Sequence, residues 1–169
     1  MEKPQQGFIG LGSNLGDGQG NLIAAWQRLG QVAGIRLLRL SSPYRTEPIG
    51  MDTEHWFTNA VGEIRTSLSP TDLLTAMLAI ETALGRDRTL TQDRPVDLDL
   101  LYYGDLMIQS LALTVPHPRI AERLFVLAPL AEIAPDHVHP ILGRTSLDLC
   151  GALRSKTAQR QEWREAFGG

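Results

Sequence analysis

The order in which hydrophobic periodicity switches along the chain limits its fold more than any other feature. Gly7 to Leu11 reads as a short buried strand, closed by Gly12-Ser13-Asn14. Asn21 to Leu29 places Leu22, Ala25, Trp26 and Leu29 at helical spacing, and Gly30 suits a helix end. Ile35 to Leu40 begins a second strand that extends toward Tyr44, and Thr58 to Thr66 alternates as a third. Ser69-Pro70-Thr71-Asp72 is the sharpest signal: a cap, a proline at the first helical position and an acid in the first turn. Leu73, Leu74, Met77, Leu78, Ile80 and Leu84 then recur at helical spacing, and Gly85 closes that helix. Arg86 to Pro95 is polar, basic and aperiodic, hence a loop, and Val96 to Tyr103 is a fourth strand.

Strand, helix, strand, strand, helix, strand is the split βαβ order. It predicts an α+β, ferredoxin-like antiparallel sheet with both helices on one face. Beyond it come Leu106 to Ile108, a turn at Pro116-His117-Pro118 and a helix over Arg119 to Pro129. Irregular chain runs on to Pro140, and Ser146 to Leu153 reads as a last short helix. The charged tail from Arg154 carries Trp163 and Phe167 four apart, which predicts a helix docked by the two rings, with a frayed end as the alternative. At 169 residues the expectation is one domain, with a core of about 7–136 and an extension over about 137–169.

Charge narrows the function classes. Sixteen Lys and Arg against nineteen Asp and Glu give −3, which disfavours a polycation that coats nucleic acid. No signal peptide and no apolar run of ~18 residues is found, so a soluble, cytoplasmic chain without a membrane partner is expected. Cys150, the single cysteine, excludes an internal disulfide and thiolate-rich zinc sites, and reads as a small buried hydrophobe.

Asp97-Leu98-Asp99 is the pair that carries most chemistry. Residues two apart on a strand share a face, with Cα atoms ~7 Å apart, while Leu98 and Leu100 turn to the core. Two like charges there call for a cation, and Mg²⁺ takes one or two carboxylates plus phosphate oxygens. On spacing alone a solvated strand face stays open. Arg86, Arg88 and Arg94 before the pair, and Arg119 and Arg123 after His117, favour the metal and a polyphosphate. Phe57 and Asn59 lie on one side of a strand entrance, where a ring and an amide can recognise a flat heterocycle; Phe57 and Phe125 fit a core equally well. Gly10-Leu-Gly12-Ser-Asn-Leu-Gly16 is one residue too long for a dinucleotide fingerprint and reads as a strand-to-helix turn needing positive φ. No P-loop occurs. His137-Val138-His139 lacks spaced ligands for zinc and reads as structural or surface, and His55 as exposed.

Taken together, Gly10 to Gly16, Ser42-Pro-Tyr-Arg-Thr-Glu-Pro-Ile-Gly50, Phe57-Thr-Asn-Ala60 and Gly85 through Arg94-Pro-Val-Asp-Leu-Asp-Leu-Leu101 resemble one family, in its order. Leu113-Thr-Val-Pro-His-Pro-Arg119 and Arg123-Leu-Phe-Val-Leu-Ala-Pro-Leu130 continue the match, which covers about residues 7 to 136. The family is 6-hydroxymethyl-7,8-dihydropterin pyrophosphokinase of folate biosynthesis. The resemblance implies a ferredoxin-like fold and transfer of pyrophosphate from ATP to the pterin's hydroxymethyl oxygen, releasing AMP. It implies that Asp97 and Asp99 hold two Mg²⁺ ions, and that Asn59, Phe57, Phe125, Thr46 and Pro48 form the pterin pocket. Glu81, Arg86, Arg88, Arg94, Thr114, His117 and Arg123 fall on its ATP side, with Arg86 and Arg94 counted as catalytic beside the aspartates. ATP and the pterin are then the partners of a monomer. The chain departs from the pattern in a shorter Arg86 to Arg94 segment without its tryptophan, and in Ala112 where some members have Arg.

Two other classes use this topology. An RNA-binding module needs an aromatic RNP1-like strand, which is missing. A regulatory domain would bind nucleotide or pterin without turnover, and AMP release separates the two.

Overall fold

The computed structural model describes residues 3–46, 56–85, 95–157 and 164–165. Its elements are β1 (Gln5–Ser13), α1 (Gly18–Gln31), β2 (Ile35–Leu40), β3 (Tyr44–Thr46), β4 (Phe57–Thr66), α2 (Pro70–Ala83) and β5 (Asp97–Tyr103), then β6 (Ile108–Gln109), β7 (Thr114–Val115), a 3-10 turn (Ile120–Glu122), α3 (Leu124–Ile133), α4 (Ser146–Thr157) and β8 (Arg164–Glu165). The main sheet runs β5-β1-β4-β3-β8, with β2 also on β4, and its pairings are antiparallel. That is the expected ferredoxin-like sheet.

Local chemistry explains the helix starts. The Asp17 carboxylate accepts the Gly20 N–H at 3.0 Å, so α1 begins before Asn21. Ser69 caps α2 by accepting the Asp72 N–H at 3.1 Å, and Gly85, at φ +99°, ends it. Gly30 lies at the end of α1, one residue before its last, and since a Cβ there would stand 2.7 Å from Leu37 Cδ1, its bareness also lets α1 lie against β2. Gly34, at φ +93°, makes the turn.

Leu22, Ala25 and Leu29 of α1 and Leu73, Met77 and Ile80 of α2 bury Ile9, Leu11, Ala60, Ile64, Leu98 and Leu100 on one face of the sheet. The opposite face, carrying Phe8, Val61, Leu101 and Tyr102, is covered by α3 and α4, where Cys150 is buried as expected. The architecture is therefore three-layered. The helix expected over Arg119 to Pro129 is instead split at Arg123, whose φ −120° and ψ 101° are extended, and α3 runs past Pro129 to Ile133. An apolar α3 enclosed between sheet and α4 gains enough burial to tolerate an internal proline, which costs about 3 kcal/mol in an exposed helix.

The tail also differs. Arg164 and Glu165 are extended and pair with Arg45 and Tyr44, because the outer edge of β3 offers backbone groups to another strand. Trp163 and Phe167 lie outside the described residues, as does His55. His137 and His139 are structural: the His137 ring packs 4.5 Å from Tyr102 and 4.8 Å from Phe8, and His139 Nδ1 accepts the Ile141 and Leu142 N–H groups.

Gly62 on β4 faces α1, and a Cβ there would lie 2.7 Å from Trp26 Cη2 and 2.9 Å from Cε3. Gly62→Ala should therefore cost about 1–3 kcal/mol by overpacking. The urea midpoint should fall with an unchanged m-value, and an unchanged midpoint would mean that the Trp26 ring moves aside freely.

Candidate functional site

The register of β4, β1 and the edge strand β5 builds a site on the α3 side of the sheet. Gly12 of β1 pairs with Asn59 of β4 on one side and with Asp97 of β5 on the other. One row along, Gly10 separates Val61 from Asp99. Strands lie ~4.8 Å apart, so the Asn59 and Asp97 Cα atoms stand roughly 10 Å apart across a floor without side chains. Neither glycine has positive φ; Gly16, at φ +67°, does. The turn expected of the whole segment thus belongs to Gly16, while Gly12 clears the floor and Gly10 makes room for the Leu101 side chain beside it. A Cβ on Gly12 would sit 3.1 Å from Asn59 Oδ1 and 3.9 Å from Phe57 Cδ1.

At the β4 end, Asn59 Nδ2 donates to Thr46 Oγ1 at 2.9 Å, and both residues are buried. The bond leaves Asn59 Oδ1 over Gly12. Phe57 is half-buried two residues earlier on the same face. In the layer that covers this face, half-buried Phe125 lies in the first turn of α3, and the Arg123 guanidinium carbon lies 5.6 Å from its ring centroid.

At the β5 end, Asp97 and Asp99 share a face, and Leu98 and Leu100 are buried on the other. A register shift leaves Leu101 as an extra residue opposite β1, and its carbonyl accepts the His117 N–H at 2.9 Å. That bond holds the turn after β7 beside Asp97. His117 Nδ1 accepts the Arg119 N–H at 3.2 Å, so the proton of the neutral ring resides on Nε2. Burial, then Arg123 and Arg119, outweigh the pull of Asp97 and push the His117 pKa down to about 4. On the edge of β5, the buried Glu81 of α2 accepts the Leu98 N–H at 2.7 Å, between the two aspartates. Thr114 sits on β7 opposite Gln109.

The structure thus gathers Thr46, Phe57, Asn59, Asp97, Asp99 and His117 around the α3-side end of the sheet, with Arg123 and Phe125 at the start of α3, while Glu81 reaches the edge of β5 from α2 on the other face. Pro48, Arg86, Arg88 and Arg94, and with them the loop from Arg86, lie outside the described residues. The Asp97-Asp99 pair suits a hard divalent cation that takes its remaining oxygens from water or substrate. Among the described residues no group of three His, Cys, Asp or Glu forms a closed metal cage. Sequence reasoning missed the floor glycines. Their signal was present: glycines at 10 and 12 alternating with Ile9 and Leu11 mark one bare face of a strand. A cavity of about 470 Å³ near the same strand ends is lined by residues 13–19, Arg45, Trp56 and Thr58, and by neither Asp97 nor Asp99.

Known proteins resemble this chain over that framework. The family model for 7,8-dihydro-6-hydroxymethylpterin-pyrophosphokinase (HPPK) matches residues 8–135. A Synechocystis protein named 2-amino-4-hydroxy-6-hydroxymethyldihydropteridine pyrophosphokinase is 45% identical, over 86% of this chain and 76% of its own. A protein of the same name from Methylorubrum extorquens is 42% identical over 92% of this chain and 98% of its own. A crystal structure of Plasmodium falciparum HPPK-DHPS superposes with a TM-score of 0.78 at 14% identity, over 94% of this chain. The chain spans about half of that protein, 47% of its length, and the likeness is one of fold.

His117 generates a pH prediction. Its folded pKa lies below the ordinary 6.5, so the unfolded chain takes up the proton first as the pH falls. In the absence of metal and nucleotide, stability should decline from about pH 6.5 toward pH 4. His117→Asn, which keeps an acceptor near Nδ1, should lessen that decline, with the rest carried by His137 and His139, whose pKa values burial also lowers. Urea unfolding across this range checks it, and identical pH slopes for both proteins would refute it.

Proposed function

The chain belongs to the 7,8-dihydro-6-hydroxymethylpterin-pyrophosphokinase family, and from that premise we propose that it transfers the β,γ-pyrophosphoryl group of ATP to the hydroxymethyl oxygen of 6-hydroxymethyl-7,8-dihydropterin, releasing AMP. The observation that carries the reading is the glycine floor between an amide and a carboxylate pair. Its length of roughly 10 Å suits a flat bicyclic heterocycle whose side-chain alcohol reaches the carboxylate end.

In this reading Asn59 Oδ1 accepts an N–H from the pterin edge, and Thr46 holds the amide in the orientation that presents it. Phe57 and Phe125 flank the ring, and Pro48 completes the pocket. Asp97 and Asp99 would hold two Mg²⁺ ions, which supply neutralisation and alignment of the ATP phosphate oxygens. His117, neutral with its proton on Nε2, donates to a phosphate oxygen at neutral pH, and Arg123 adds positive charge beside it. Arg86, Arg88 and Arg94 grip the polyphosphate, Arg86 and Arg94 also stabilising the charge that develops in the transfer. Glu81 and Thr114 lie on the nucleotide side. The alcohol oxygen bonds to the β-phosphorus as the bond from that phosphorus to the oxygen bridging it to the α-phosphorus breaks. AMP leaves with the bridging oxygen, and the alcohol proton passes to solvent. The protein's share is positioning and charge stabilisation. One pyrophosphokinase domain, with a core of about 7–136, works here as a cytoplasmic monomer; no described helix is long and apolar enough to cross a membrane.

Incubation with ATP, Mg²⁺ and the hydroxymethyl dihydropterin should yield AMP. ADP, or binding without turnover, would refute the transfer. Asp97→Ala and Asp99→Ala should each lower kcat by about 100-fold or more, with melting temperatures near that of the parent. Normal turnover in both would remove the metal assignment.

The amide makes a separate prediction. Asn59→Ala should weaken pterin binding by about 10- to 100-fold, leaving ATP within a few-fold. Gly12→Ala should act in the same direction by crowding Asn59 Oδ1. Titration calorimetry of each ligand decides it, and equal losses for both ligands would make Asn59 a structural residue.

A further inference from the structure

Apolar contact alone holds most of α3 to the sheet, through Leu127 and Leu130 against Phe8, Val61 and Leu101. Such contact is non-directional and sets no register along the helix axis. Glu132 supplies one. Its Oε2 accepts the Ser42 N–H at 2.9 Å and the Ser42 hydroxyl at 3.1 Å, and its Oε1 accepts the Tyr44 hydroxyl at 2.7 Å. These groups lie 88 and 90 residues away in sequence, so the carboxylate ties α3 to the start of β3.

Both ends of that tie lead to the site. Glu132 follows Phe125 by seven residues, two helical turns, so the two side chains share one face of α3. On β3, Tyr44 and Thr46 share a face; Tyr44 pairs with Asn59, and Thr46 receives the Asn59 amide. A chain of contacts therefore runs from Phe125 along α3 to Glu132, across to Tyr44, along β3 to Thr46 and on to Asn59. In the pterin reading these are the two walls of the pocket, and one carboxylate, itself exposed, links the elements that carry them.

We propose that Glu132, acting through Ser42 and Tyr44, is a positioning residue that sets the width of the pterin slot and so the affinity for pterin, without touching it. The inference rests on the pterin reading above. It separates pterin from ATP, because the chain of contacts joins the amide wall to the Phe125 wall and includes neither aspartate. An exposed carboxylate adds little to global stability, so its variants should fold.

The test uses Glu132→Ala, Glu132→Gln and Tyr44→Phe in the full chain. Glu132→Ala should raise the pterin KM about tenfold, keep the ATP KM within about twofold and change kcat little, since a small misplacement of a binding wall is costly. Tyr44→Phe and Glu132→Gln should shift the pterin KM in the same direction by less. The Glu132→Ala/Tyr44→Phe double variant should be no worse than Glu132→Ala alone. Faster hydrogen exchange at residues 44–46 in Glu132→Ala, with no ligand present, should report release of the clamp. An unchanged pterin KM, an equal rise for ATP, additive losses in the double variant or unchanged exchange would each overturn the inference. A parent chain that binds no pterin overturns the functional reading first; a parent that binds pterin beside an unaffected Glu132→Ala overturns this inference alone.

Discussion

Antiparallel pairing of β1 between β4 and β5 is the constraint on which the rest of the molecule depends. It places Gly12 between Asn59 and Asp97 and Gly10 between Val61 and Asp99. A slip of one residue would turn the bare glycine face toward α1 and α2 and bring Ile9 and Leu11 under the site. Burial prevents that slip: Ile9 and Leu11 are enclosed by the first helical pair, and Phe8 packs into the second layer. The core energetics and the shape of the site are thus two faces of one strand.

Irregularities finish what regular pairing begins. The extra residue Leu101 turns Tyr102 to the α3 face and Tyr103 to the other, and frees a carbonyl that anchors His117 beside Asp97. The break at Arg123 lets α3 start afresh, with Phe125 in its first turn and the Arg123 guanidinium against that ring. At the far end of the same face, Glu63 is buried but satisfied by Arg39 at 2.8 Å and Gln6 at 2.7 Å. The charge that this layer encloses is therefore paired.

Much of the fold was legible because it rests on local chemistry. The cap at Ser69, the stop at Gly85 and the outward aspartates against inward Leu98 and Leu100 need only neighbours in the chain. Pro129 and the tail were misjudged because each answers to a distant partner: the layer around α3 and the edge of β3. Gly10 and Gly12 show the same division. Their spacing was visible, but a glycine marks a turn or a bare surface equally well until the strands beside it are known.

By itself the sequence determined the strands and helices of the split βαβ core, the segments that carry the carboxylates and the amide, and, through shared motifs, the family. Periodicity, caps and spacing are short-range properties, and they survive without the fold. Only the tertiary structure decided that Asn59 and Asp97, 38 positions apart, face each other across Gly12, and that Glu132 reaches back to Ser42 and Tyr44. Those juxtapositions follow from how non-local strands and helices bury their apolar faces together, and no window along the chain contains both partners.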